Sequence, residues 1–106
     1  MGLVLMQVKI IYFGMIRNAL GTKNDNLDIS SETTVRSLFE QLATRHGEAF
    51  RDHVLEVNAS GALSLAPEAV VMLNGRNINT LQSLDTPLTG SAEIQIVVAS
   101  PAAIGG

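Results

Sequence analysis

The chain has no cysteine and no tryptophan, and only 4% of its 106 residues are aromatic. Without cysteine there is no disulfide, thiolate metal site, iron–sulfur cluster or cysteine nucleophile. With so few rings the core has to be aliphatic, and apolar residues do make up 46% of the chain. Positive charge is also scarce: seven Lys and Arg against ten Asp and Glu, a formal net charge of −3. That balance lacks the dense basic stripe a phosphate backbone demands, so no nucleic-acid partner is expected. No apolar run approaches the roughly 18 residues of a membrane helix. The N-terminal run is broken by Gln7 and Lys9 and has no basic flank of the signal-peptide kind. The expectation is a single cytoplasmic domain over residues 1–106, free of membrane contact.

Catalytic patterns are missing as well. His46 and His53 have no partners at zinc-type spacing, and no metal site is expected. There is no serine elbow and no phosphate-binding Gly-Lys-Ser/Thr loop. The carboxylates are scattered singly. On these residues the chain is not catalytic by itself.

The elements that are present read clearly in places. Residues 4–13 alternate as a strand with Val4, Met6, Val8, Ile10 and Tyr12 on one face. The other face, including Ile11 and Phe13, is also largely apolar, which predicts a central strand covered on both sides, with Tyr12 and Phe13 in the core. Residues 14–24 hold turn formers. Residues 25–29 form a more polar strand, placed near an edge. Val35, Leu38, Phe39, Leu42 and Ala43 fall on one stripe of a helix over 35–46, with N-cap oxygens before it and Gly47 after it. Residues 48–57 suggest a further helical turn or two, and 58–67 a small-residue loop. Residues 69–73 read as a buried strand, Asn74–Gly75 as a hairpin turn, the region near Ile78 as a short strand, and 93–99 as a final strand. The order β-β-α-β-β-β predicts an α+β fold with one main helix over a sheet of four or five strands.

The remaining feature is the end of the sequence. Gly105 and Gly106 have no Cβ and can thread a cleft too narrow for side chains. A free carboxylate on Gly106 would be ionised at neutral pH, on an arm beginning after Pro101. Residues 102–106 reach at most about 15–18 Å. A frayed end or a cloning remnant would leave the same residues, so both readings stand on the residues alone.

Several segments together resemble the ubiquitin-like sulfur-carrier family, in particular its molybdopterin-synthase small-subunit branch. They are VKIIYFGMIRNALG at 8–21, TTVRSLFEQLATRHGEAF at 33–50, VVMLNGRNI at 70–78, LDTPL at 84–88 and the final Gly105–Gly106. Residues 52–68 resemble the longer, archaeal-type members. The resemblance implies a β-grasp fold with first and last strands parallel at the sheet centre. It implies that a ubiquitin-activating-type adenylyltransferase uses ATP and Mg2+ to adenylate Gly106, and that no cofactor is held by this chain itself. A sulfur donor such as a cysteine desulfurase or rhodanese then converts the acyl group to a thiocarboxylate. The large subunit of molybdopterin synthase receives the tail, and sulfur passes to the pterin precursor. On this resemblance Gly106 is the reactive residue and Gly105 gives passage. Phe13, Arg17, Pro101 and Ile104 lie on the partner-binding surface, backed by an apolar patch of the sheet. Pro101 matches the first of the family's usual two prolines, whereas the second is Ala102 and the preceding aromatic position is Ser100. Sulfur carriage for another product, conjugation of Gly106 to lysines, and a plain interaction module are the alternatives.

Overall fold

The computed structural model of the protein describes residues 5–30, 32–88 and 91–99. The first strand, β1 (Leu5–Gly14), pairs antiparallel with β2 (Asn24–Ser30), setting Val8 opposite Leu27. On its other side β1 pairs parallel with β7 (Ala92–Val98), setting Ile10 opposite Ile94 and Tyr12 opposite Ile96. Next comes β5 (Ala69–Leu73), antiparallel to β7, with Val71 opposite Ile96. The Asn74–Gly75 turn, both residues at positive φ (50° and 86°), leads into the two-residue β6 (Arg76–Asn77). The sheet order is β2-β1-β7-β5-β6. The first and last strands are therefore parallel at its centre and β2 is an edge, as expected.

Alternation along these strands sends Val8, Ile10, Tyr12, Val71, Leu73, Ile94 and Ile96 to one face, where all are buried. Helix α2 (Val35–His46) lays its five predicted stripe residues onto that face. Thr34 caps it, its hydroxyl accepting from the Ser37 N–H at 3.2 Å. The Gly47 N–H closes the other end on the Ala43 carbonyl at 2.7 Å. Helix α3 (Glu48–Val54) adds Phe50 and Val54, with Phe50 packed edge-to-face on Phe39 at 5.5 Å. No helix among the described residues is long and apolar enough to cross a membrane.

Four sequence readings change. The turn segment after Gly14 contains a short helix, α1 (Met15–Leu20), which buries Ile16. Six residues are too few for a helical period to show. The helix after Gly47 stops at Val54, and β3 (Leu55–Val57) pairs with β4 (Leu63–Leu65) as a separate hairpin. Its loop is closed by the Asn58 side chain, which accepts from the N–H groups of Ser60 and Ala62. The short strand expected near Ile78 is β6, but it stops at Asn77 and Ile78 itself opens a 3-10 turn, Ile78–Thr80. Finally, β1 is central, but among the described residues the helices and their core cover only one of its faces.

One glycine fixes where the two central strands end. Gly14 pairs with Val98, has φ 76°, and a Cβ there would overlap the Val98 carbonyl oxygen. Gly61 has a similar φ of 87° but open space around it. Gly14→Ala is therefore expected to destabilise the protein by more than about 1 kcal/mol beyond the cost of Gly61→Ala, measured by urea unfolding. Equal losses in the two variants would show that the close approach is not required.

Candidate functional site

The predicted tail residues Pro101, Ile104, Gly105 and Gly106 lie outside the described residues. The structure does describe the surface from which that segment departs. The β5–β7 ladder is extended by the Ala99 N–H, which bonds to the Glu68 carbonyl at 3.4 Å. At this end Phe13, Val97 and Val70 stand opposite one another on three adjacent strands. They are 39%, 36% and 41% exposed. Only four large hydrophobic side chains among the described residues are exposed, and this row contains three of them. This is a contiguous apolar row and not scattered apolar exposure.

The row continues into a graded face. Ile11, Gln95 and Met72 form the next register level, and Lys9 stands opposite Glu93 beyond it. The open face is thus apolar beside the departing tail and polar at the far end. Phe13 is not a core ring. It belongs to the odd-numbered set of β1, which alternation turns away from the helices, and nothing in the local sequence shows which apolar face is left open. Arg17 is exposed on α1, three residues past Gly14.

Behind the same end of the sheet lies a polar lock with little sign in the sequence. Asp25 Oδ2 accepts from the Tyr12 hydroxyl at 2.7 Å and from His46 Nε2 at 2.6 Å. Arg45 Nε stands 3.6 Å from Asp25 Oδ1. The carboxylate is only 10% exposed, and Tyr12 also meets His46 edge-on at 6.1 Å. The lock joins β1, the start of β2 and the last turn of α2. Burial, then the hydrogen bond to Asp25 and its negative charge, hold the Tyr12 phenol far above its ordinary range. For Asp25, burial is the largest single influence and pushes the pKa up. The hydrogen bonds from Tyr12 and His46 and the positive charges of His46 and Arg45 together outweigh it, so the pKa lies below the ordinary 3.8. In the sequence His46 shows only that it has no zinc-type partners, and it is the fold that brings it to Asp25. Among the described residues no group of three His, Cys, Asp or Glu side chains could hold a metal ion.

A five-stranded mixed sheet with parallel central strands and a helix across one face is the β-grasp architecture of ubiquitin-like proteins. The ThiS family profile matches residues 10–101, and the chain belongs to this family of ubiquitin-like sulfur carriers. No curated protein matches the chain in sequence. Among solved structures it is similar to the small archaeal modifier protein 1 (SAMP1) of Methanosarcina acetivorans, with 26% identity and a TM-score of 0.73. That match covers 92% of this chain and 97% of the other. It is also similar to a candidate molybdopterin converting factor, subunit 1, from Pyrococcus furiosus, with 22% identity, a TM-score of 0.66 and coverage of 90% and 99%. A chain of the Amycolatopsis orientalis BexX/CysO complex shares the fold at 14% identity, a TM-score of 0.66 and coverage of 88% and 96%.

The lock predicts a specific acid response. Because the folded pKa of Asp25 is depressed, its stabilisation is complete above the unfolded value near 3.8 and disappears as pH falls through the lower folded value. Asp25→Asn is expected to cost about 1–3 kcal/mol at pH 7, from lost charge-assisted hydrogen bonds. It is also expected to flatten the acid limb of stability between pH 5 and the acid transition. Urea midpoints across pH measure both. An unchanged acid limb in the variant would show that Asp25 does not carry it.

Proposed function

We propose that the protein is a sulfur carrier whose reactive group is the carboxylate of Gly106, and that it serves as the small subunit of a molybdopterin synthase. The observation that carries this reading is the ThiS-family match over residues 10–101, followed in the sequence by Gly105–Gly106. Likeness to the Pyrococcus protein supports the choice of pathway.

The chemistry follows from the carboxylate. Its carbon resists attack while it bears a poor leaving group. In the proposed first step a Gly106 oxygen bonds to the α-phosphorus of ATP, the α–β phosphoanhydride bond breaks and pyrophosphate leaves. The terminal sulfur of a persulfide on the donor then attacks the activated acyl carbon and AMP leaves; a thiol attacks the donor sulfur of the resulting acyl disulfide, the S–S bond breaks, and the thiocarboxylate is released as thiol and donor become a disulfide. The sulfur so held is a soft, ionised nucleophile suited to transfer. The activating adenylyltransferase supplies the ATP and Mg2+ site, and a cysteine desulfurase or rhodanese supplies sulfur. In the synthase, Gly105 and Gly106 enter the large subunit, with Ile104 and Pro101 at the approach.

The row of Phe13, Val97 and Val70 gives both kinds of partner a common docking surface next to the tail. Apolar contact at such a row supplies affinity, and the glycines supply access to the partner's active site. Arg17 flanks this surface as a cation.

A second reading, conjugation of Gly106 to lysines of other proteins, is favoured by the 26% identity to the modifier SAMP1. Both readings need the Gly106 carboxyl to be free in the mature chain.

Intact-mass measurement tests this. After incubation with ATP, a ubiquitin-activating-type enzyme of the same cell and a sulfur donor, the mass is expected to rise by the replacement of one oxygen by sulfur. A chain lacking Gly106 should not change. No mass change with an enzyme that adenylates another carrier would contradict sulfur carriage. Covalent ladders in cell extract, lost on deleting Gly106, would assign the modifier role instead. Co-purification of a pterin-converting large subunit is the expected outcome for the molybdopterin pathway.

A further inference from the structure

The loop after α1 builds a second feature at the tail end of the molecule. Gly21 ends the helix in the left-handed region, and its N–H closes on the Arg17 carbonyl at 3.0 Å. The chain then doubles back, and the Lys23 carbonyl accepts from the Tyr12 N–H at 2.9 Å. This reversal forms an open cavity of about 310 Å³ lined by Arg17, Asn18, Gly21, Thr22 and Lys23. No carboxylate lines it. Arg17 and Lys23 are exposed, and neither makes an ion pair among the described residues, where Arg36, Arg45 and His46 form the pairs present. In a chain with ten acids against seven bases, a carboxylate-free cavity holding two uncompensated cations is not expected from composition.

We propose that Arg17 and Lys23 form a binding site for a phosphate-class oxyanion beside the point where the C-terminal segment leaves the sheet. The guanidinium offers a planar fork of donors and the ammonium a mobile point charge, a combination suited to a tetrahedral oxyanion. The Asn18 amide adds a neutral donor. Thr22 does not, because its hydroxyl donates to the Asn24 carbonyl at 3.1 Å. The lining contains no ring and no large apolar side chain, so it has nothing to hold a nucleobase. The phosphoryl group itself is what the site recognises, whether free or at the end of a nucleotide. Two cations are too few to track a nucleic-acid backbone. The location is fixed by α1, which begins directly after Gly14, the partner of Val98, and packs against β7. The site stands whichever sulfur-transfer or modifier role the chain serves.

Amide NMR titration of the full 15N-labelled chain with inorganic phosphate, against chloride at matched ionic strength, tests this. Saturable shifts confined to residues 17–23 are expected with phosphate only. Arg17→Gln and Lys23→Gln should each weaken saturation by about fivefold or more. Arg76→Gln, a cation on β6, should leave it unchanged. Unsaturable drift equal to that with chloride would overturn the proposal, as would unchanged saturation in both pocket variants. Titration with AMP separates the sources. Saturation equal to that of phosphate assigns the site to a phosphoryl group alone, and tighter saturation of the same amides assigns it to a nucleotide.

Discussion

The parallel pairing of β1 with β7 is the constraint on which the rest depends. These strands come from opposite ends of the sequence, so their registry can form only when everything between them has been placed. Once it exists, Ile10, Ile94, Tyr12 and Ile96 form the centre of the buried face, and α2 has a floor to pack on. The same pairing decides where the chain's last segment departs. Gly14 lets β1 and β7 stay in contact to Val98, so the tail leaves from the middle of the sheet instead of an edge. The described chain up to Val98 is held by ladders on both sides.

The covered face and the open face answer different demands at that one end. Beneath it, the Tyr12–Asp25–His46 lock ties two strands to the end of α2 without leaving a buried side-chain nitrogen or oxygen unpaired among the described residues. An unpaired carboxylate there would cost more than the lock contributes. Above it, Phe13, Val97 and Val70 stay exposed, an arrangement stability alone would not favour. The polar level at the far end, with Lys9 and Glu93, makes the open face directional, apolar at the end where Ala99 follows β7 and polar at the other.

The main helix, the hairpin turn and the strands around them were legible in the sequence, because each is a local pattern. Val35 through Ala43 announces a stripe, Thr34 and Gly47 supply its ends, and Asn74–Gly75 permits little but a tight turn. The β3–β4 hairpin was not legible, since Leu55–Val57 carries too short an alternation to outweigh the preceding helical residues. Phe13 shows the limit more sharply. Both faces of β1 are apolar in sequence, and which one remains open depends on where α2 lands. The resemblance alone placed Phe13 on the partner surface, and the exposed row it shares with Val97 and Val70 was not legible. Its members needed the register of three strands. The Asp25 lock needed β2 and α2 together, twenty-one residues apart along the chain between Asp25 and His46.

The central claim is that partners dock on the open face beside the departing tail. Methyl cross-saturation NMR tests it most directly, with the labelled chain bound to its unlabelled activating enzyme. The account predicts signal loss at Ile11, Val70, Met72 and Val97, with none at Val57 on the β3–β4 hairpin. Signal loss at Val57 with the open-face methyls untouched would contradict it.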